Sequence, residues 1–385
     1  MLSQSITKFI LVPLAVALLS MPVAARALYD FVNGGSCWRQ GDWLINTGGG
    51  FVRRGLFGDI FIVLSDLTGL DLLLVVQFFQ MSLFALLAFM IWMLCIRTPH
   101  LRITILLLAS PGFLLFFWAS DVQGTMRKEI FILLALALLA FGAQSRKLSP
   151  VLPIAAVALF TLGCIGNIMI GFMAPSLIAA FYLLWQAGKM SRRAFGVYTA
   201  IILAMSALWL AVSLLFKEVP ALAGMCAPLV ARGLDPIFCD GAMSWTITGK
   251  VDHTAQLLAK ITPASLAIFA LMTTLSLLPL FMSLRVFAER RFLLVLALLC
   301  FVPMLPLYVM ATDWGRWVST SYTAYAFLVL LALSLNRLSI TAPPRLAFVF
   351  GLLALSLLLT PEHGINWMPG GALRSIAITF DELVF

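Results

Sequence analysis

An all-α, polytopic membrane bundle is the fold class that this 385-residue sequence predicts. Three observations carry that expectation. The composition is 62% hydrophobic and 11% charged, with a mean hydropathy of +1.06, whereas soluble domains keep about a quarter of their residues charged. Apolar runs of about 20 residues, enough to cross about 30 Å of hydrocarbon, recur along the whole chain. The loops between them alternate between strongly basic and mixed in charge. No segment is long or polar enough to form a separate soluble domain, so residues 1–385 read as one membrane domain.

The first four runs fall at 9–25, 70–96, 103–119 and 130–144. The stretch 151–186 is too long for a single crossing, and both flanks are basic: Arg146 and Lys147 before it, Lys189, Arg192 and Arg193 after. It is expected to cross twice, with Gly163, Gly166 and Asn167 supplying the small and polar residues of a tight turn. Runs at 194–216, 263–284, 292–311, 320–336 and 346–360 bring the expected number of spans to eleven.

Translocation of positive charge is disfavoured, so the basic loops are assigned to the cytoplasmic side. They carry Arg97 and Arg102; Arg146 and Lys147; Lys189, Arg192 and Arg193; Arg285, Arg290 and Arg291; and Arg337 and Arg345. With Lys8 this side holds thirteen basic residues against one acid, Glu289, a net +12. The other fifteen acids and twelve basic residues lie outside at −3, so the overall +9 reflects topology and is poor support for a nucleic-acid partner. The N-terminus is expected inside and the C-terminus outside. Lys8, the apolar stretch after it and Ala25-Arg26-Ala27 look like a signal peptide, but arginine just before a cleavage point favours an uncleaved first span.

Cysteine usage fits this topology. Cys95, Cys164 and Cys300 sit in or at the ends of apolar runs and read as small hydrophobes. Cys226 and Cys239 share the large outer loop 217–262, where an oxidising compartment permits a disulfide. Cys37, in the first outer loop, has no obvious partner.

Four outer segments hold the polar information. The first, 26–70, contains Asp30, Asp42, the run Gly48-Gly49-Gly50 and the pair Arg53-Arg54. Glycines that admit backbone N–H groups beside two guanidinium forks suit a phosphate; a basic juxtamembrane collar is the simpler reading. Apolar spacing from Arg53 to Leu67 predicts an interfacial helix. The second, Ser120–Glu129, packs Asp121, Gln123, Arg127, Lys128 and Glu129 into one short loop that defies the positive-inside tendency, either to bind an anion or to form an internal ion pair. The third, Thr312–Trp317, places Asp313 and Arg316, and likewise Trp314 and Trp317, three apart on one helical face. Charges so near the hydrocarbon are functional candidates, and the tryptophans form an interfacial belt or a stacking wall for a sugar. The fourth, 217–262, carries Asp235, Asp240, Trp245, Lys250, Asp252 and His253; the histidine is a general-base candidate whose simpler reading is a solvated loop residue. The tail 361–385, with His363, Trp367, Arg374, Asp381 and Glu382, carries no specific signal.

His100, His253 and His363 lie far apart, and no His/Cys cluster has zinc or haem spacing, so no residue is assigned to a metal. No nucleotide-binding fingerprint appears, and no repeat relates the two halves, which weakens a carrier.

The eleven spans, the acid after the first span, the amphipathic first outer loop, the larger fourth loop and the charged patches GGGFVRRGLFG, MRKE and DWGRW together resemble bacterial Wzy-type O-antigen or exopolysaccharide polymerases and GT-C-like membrane glycosyltransferases. The resemblance implies a GT-C-like arrangement in the bacterial inner membrane. It also implies glycosyl transfer at the periplasmic face from an undecaprenyl-diphosphate-linked saccharide. A catalytic acid in the first outer loop maps to Asp30 or Asp42, with Asp313 a third candidate. Arg53, Arg54, Arg127, Lys128 and Arg316 would face the departing diphosphate, and Asp121, Glu129, Trp314 and Trp317 the sugar. Lipid carries the donor, so neither nucleotide nor haem is required, while a divalent metal stays open. The implied partners are lipid-linked saccharide, membrane lipid and a chain-length regulator or other envelope-assembly protein. A flippase or exporter of lipid-linked saccharide, a ligase or acyltransferase, and a non-enzymatic assembly partner are the alternatives.

Overall fold

The computed structural model describes residues 7–121, 124–215, 221–247, 258–259, 261–364 and 369–384. Among these every regular element is helical, and the β features are two isolated bridges, Phe287 with Ile340 and Thr360 with Gly370. Six helical segments have the length and hydropathy to cross a membrane: Lys8–Val32, Leu72–Arg97, Arg192–Leu215, Pro263–Val286, Arg290–Val309 and Trp314–Ser334. Shorter apolar helices cover Ile130–Ala143, Val151–Gly166, Ala174–Gln186 and Leu346–Leu358. The chain is a helical, multi-pass membrane protein.

Burial sorts centre from periphery. In the most apolar stretch of the Trp314–Ser334 helix 94% of residues are buried, against 11% for Arg192–Leu215, whose outer faces are left to lipid. The central helix is also the least hydropathic of the six, because a helix wrapped by protein can carry hydroxyls that have partners. Tyr322 donates to the Leu107 carbonyl at 2.7 Å, Tyr325 meets Ser283 at 2.6 Å, and Thr323 accepts from the Leu114 amide at 3.0 Å. Beside it lies Ile130–Ala143, apolar on all faces and buried along nearly its whole length.

Two of those partners belong to a break. The expected span 103–119 is two half-helices, Leu101–Leu108 and Leu114–Ser120, separated by Ser110-Pro111-Gly112. Proline removes a donor and disfavours helix for the residue before it. Exposed peptide groups are costly at membrane depth, so the bundle supplies partners for them. Besides Tyr322 and Thr323, Ser356 donates to the Ala109 carbonyl at 2.7 Å and Ser110 to the Ser276 carbonyl at 2.6 Å. Ser276 lies at the start of another interruption, since the expected span 263–284 is Pro263–Ser276 followed by Leu278–Val286. Run 292–311 changes from α-helix to a 3-10 helix, Val302–Val309, at Pro303 and Pro306.

Other boundaries also move. The first helix continues to Val32, so Asp30 lies within its last turns and not after it. The span expected from 320 begins at Trp314, which puts Trp314, Arg316 and Trp317 inside the central helix with Asp313 at its N-cap. The tail forms a helix, Ala372–Val384, packed on Val12–Val32 and Leu114–Ser120. The helix expected from Arg53 runs Leu56–Thr68; Phe57 and Phe61 turn inward while Val63, Leu64 and Leu67 are exposed.

The loops gather at two ends, as their charge pattern implies. At one end Lys8 reaches the Thr98 carbonyl, Gln144 that of Leu94, Lys189 those of Ser145 and Arg146, Arg337 that of Gln186, and the Ser339 amide donates to Glu289. At the other, Asn46 donates to Met225, Arg127 to Trp38 and Ala242 to Cys37. The chain reverses after Gly166, which lies against Phe57 and Lys128 at this second end. Residues 151–186 therefore run from the basic end to the other and back. The Gly48–Gly50 run makes a close backbone contact. Gly49 accepts from the Ala221 amide at 2.8 Å, and a Cβ on Gly49 or Gly224 would collide with the opposite backbone. A disulfide joins Cys226 to Cys239 in the same loop region, and Cys37 is a half-buried thiol.

Gly58 tests this packing, because its missing Cβ is what lets the Leu56–Thr68 helix rest on the Leu44 and Ile45 carbonyls. Gly58→Val is expected to cost about 1–3 kcal/mol through overpacking. Gly351→Ala, where nothing lies within 4 Å, should be neutral or stabilise by up to about 1 kcal/mol through helix propensity. Thermal unfolding in detergent distinguishes the two.

Candidate functional site

The site is built on a six-residue helix, Arg39–Leu44, every residue of which is buried. Trp43 anchors it. Its indole N–H donates to the Met126 carbonyl at 2.7 Å, and its ring packs among Phe57, Phe61, Phe79 and Phe131. Met126 has φ of +58°, unusual for a side chain other than glycine; its carbonyl also accepts from Gln80 at 3.3 Å. This clamp joins the first outer segment to the second and brings Lys128 to Asp42.

The Lys128 side chain is fully buried. Its ammonium donates to the Asp42 backbone carbonyl at 2.7 Å, lies 3.8 Å from the Asp42 carboxylate and stands 5.8 Å from the ring centres of both Trp43 and Phe57. Burial pushes its pKa down to about 8, against the opposing pull of Asp42. Burial alone would raise the Asp42 carboxyl, but Lys128, Arg127, Arg54 and Arg316 together hold it below the ordinary carboxylate range. Arg54 stands 3.7 Å from Asp42, and its buried Nε has no hydrogen-bond partner among the described residues.

A second knot adjoins the first. Arg316 pairs with Glu129 and with Asp313, each at 2.7 Å. The Glu129 contact is an ion pair without hydrogen-bond alignment, since neither carboxylate oxygen has a bonded donor. Burial accordingly lifts the Glu129 carboxyl above its usual range in spite of Arg316. Asp313 is the most open of these groups, with 30% of its side chain exposed; Arg54 is at 26% and Arg316 at 12%. Four cations, Arg54, Arg127, Lys128 and Arg316, thus meet three carboxylates, Asp42, Glu129 and Asp313. Asp121 is a fourth carboxylate within electrostatic reach of Arg316 and Asp313, with His363 beside it.

The third element escaped the sequence reading. His363 Nδ1 lies 2.9 Å from the Asp121 carboxylate, which also accepts from the backbone amides of His363 at 2.8 Å and Gly124 at 2.9 Å. Glu362 adjoins the same carboxylate. Burial and the neighbouring Asp121 charge push the Glu362 carboxyl up to about 9. A tail histidine 242 residues from its partner gives no periodic or motif signal; its one local sign is the pair Glu362-His363 directly after an apolar run.

Other expected residues stand apart. Asp30 is clamped by Arg39, which holds both its oxygens, with Gln40 at 3.2 Å and Arg26 at 3.6 Å. Arg39 and Gln80 belong to this clamp and were missed, although Gln77 and Gln80 are conspicuous in an apolar run. Arg53 turns away from Arg54 toward the Ser213 carbonyl at 3.5 Å. Trp314 stacks edgewise on Phe269 and meets Tyr308, while Trp317 is buried against Tyr308. Gln123, Lys250, Asp252, His253 and Trp367 lie outside the described residues.

Lys128 makes the site pH-dependent in a defined sense. Its folded pKa lies below the value of about 10.4 of an unfolded lysine, so holding the charge destabilises the fold at and below about pH 8. That penalty is relieved as pH rises from about 8 toward about 10.4. Thermal stability in detergent should gain over this window, and Lys128→Met should show a flatter profile there.

Compared with known proteins, the chain matches no family model, no curated protein and no solved structure.

Proposed function

We propose that this chain is a membrane glycosyltransferase of the polysaccharide-polymerase type, joining polyprenyl-diphosphate-linked saccharides at the outer face of a bacterial inner membrane. The observation that carries the reading is the gathering of four cations at one end of the bundle, Arg127 and Lys128 buried and Arg54 and Arg316 partly exposed. Arg54, Arg127, Lys128 and Arg316 surround Asp42 where partly exposed Arg54, Arg316 and Asp313 offer access. Positive charge taken out of water is stabilised by an anion, and a diphosphate whose lipid tail stays in the bilayer is an anion that this location suits.

The chemistry follows from the same groups. An acceptor hydroxyl attacks the anomeric carbon, the bond from that carbon to the diphosphate oxygen breaks, and the electron pair leaves on the diphosphate. Asp313 takes the hydroxyl proton as the new bond forms. Of the three aspartates considered it is the one an acceptor reaches, since Asp30 and Asp42 expose only 3% and 7% of their side chains. Arg316 and His363 outweigh burial and keep the Asp313 carboxyl below its ordinary range, hence ionised and able to accept. Arg54, Arg127 and Arg316 stabilise the charge that develops on the leaving group. Asp30, bound by Arg39, positions the first outer segment.

A flippase would need charge along a path through the bundle. Among the described residues the hydroxyls of Ser110, Thr323 and Ser356 are spent on backbone groups at the helix breaks. That favours transfer at one end over transport.

Two measurements test the reading. Arg54→Ala and Asp313→Asn, both at partly exposed groups, should each lower polymer formation on the order of 100-fold or more with little change in thermal stability; normal chain-length ladders from both would reject the assignment. Reporter fusions at residues 99 and 235 should report opposite compartments, with 99 cytoplasmic, and a shared compartment would overturn the topology.

A further inference from the structure

We propose that Asp121, Glu362 and His363 form a binding site for one divalent cation of the Mn²⁺ or Zn²⁺ class. The three residues come from two outer segments, and their ligand atoms all lie within 4.8 Å of one another. Two carboxylates and an imidazole are a donor set suited to these ions. The spacing also fits: His363 Nδ1 is 2.9 Å from either oxygen of Asp121. Ligands held about 2.1 Å from one ion are about 3.0 Å apart at the right angles of an octahedral Mn²⁺ site and about 3.4 Å apart at the tetrahedral angles usual for Zn²⁺.

The backbone around the cluster is shaped for close approach. A Cβ on Gly124 would collide with the Asp121 carboxylate, and one on Gly315 with the Glu362 carbonyl; at Gly370 it would crowd Glu362 Oε1 at 3.1 Å. Glycines from three separate segments thus pack against the residues of this cluster, Gly315 against backbone and Gly124 and Gly370 against side chains. The Thr360–Gly370 bridge and the Gly315 amide, which donates to the His363 carbonyl at 3.2 Å, fix the segment that carries Glu362 and His363. Ser375, in the terminal helix, donates to the Ser120 carbonyl at 2.6 Å and ties that helix to the residue before Asp121.

Two carboxylates, one buried and one half-buried, beside a single imidazole are a set whose negative charge a divalent cation neutralises. The site does not require the saccharide chemistry proposed above and would stand if that reading failed.

The test uses the purified full-length protein in detergent, stripped with chelator and titrated with Mn²⁺ while free Mn²⁺ is followed by electron paramagnetic resonance. One saturable equivalent, displaced by Zn²⁺, is expected. Glu362→Gln, which keeps the size of the side chain and removes its charge, should weaken binding on the order of tenfold or more. His363→Ala should do the same, and Glu289→Gln at the opposite end should leave it unchanged. Absence of saturable binding by the wild-type chain up to about millimolar Mn²⁺, or equal affinity in a folded Glu362→Gln variant, overturns the site.

Discussion

Lys128 holds its ammonium where no solvent reaches it, and the organisation of this end of the bundle can be traced to that one charge. An unpaired buried ammonium costs several kcal/mol. Asp42 must therefore be carried to it, which requires that the Arg39–Leu44 helix be buried with its charges. Burying that helix in turn requires a second carboxylate, Asp30, for Arg39, and an indole anchor, Trp43, to fix its depth. The close approach of Leu56–Thr68 over Gly58 then brings Arg54 to Asp42. Each charge recruits a partner, and the chain of partners ends where Asp313 and Arg316 open to solvent.

The rest of the bundle makes that network affordable by keeping polarity out of lipid. The central helix carries hydroxyls because protein surrounds it, and those hydroxyls satisfy backbone groups freed at Pro111. A rigid centre, with half-helices locked to it, gives the charged end a platform on which distances near 3 Å can be maintained.

How much of this was legible in the sequence depended on the range of the signal. Apolar runs are local, and they placed the apolar helices, including the separate helices Val151–Gly166 and Ala174–Gln186 within 151–186. Helix boundaries near charge were misread, because hydropathy cannot tell that Asp30 or Arg316 continues a helix when its charge is neutralised by Arg39 or Glu129. Adjacent residues were given one role where geometry gives two: Arg54 reaches Asp42, and Arg53 turns to Ser213. The triple glycine was legible as a place of close approach, but composition does not say whether phosphate or the backbone at Ala221 does the approaching. His363 was invisible because its meaning lies in Asp121, far away in the chain.

The clearest physical distinction within the site is between charges that are closed and charges that are open. Asp30 with Arg39, and Asp42 with Lys128, are consumed by one another and shielded from solvent, so they set geometry. Arg54 and the Asp313–Arg316 pair border the same network but retain exposure. Glu129 sharpens the contrast: burial favours its neutral form, and the one proton it can take up would deprive Arg316 of an anion. An anionic ligand that approached Arg316 would restore the lost partner, and its arrival would be coupled to the protonation of a residue it never touches.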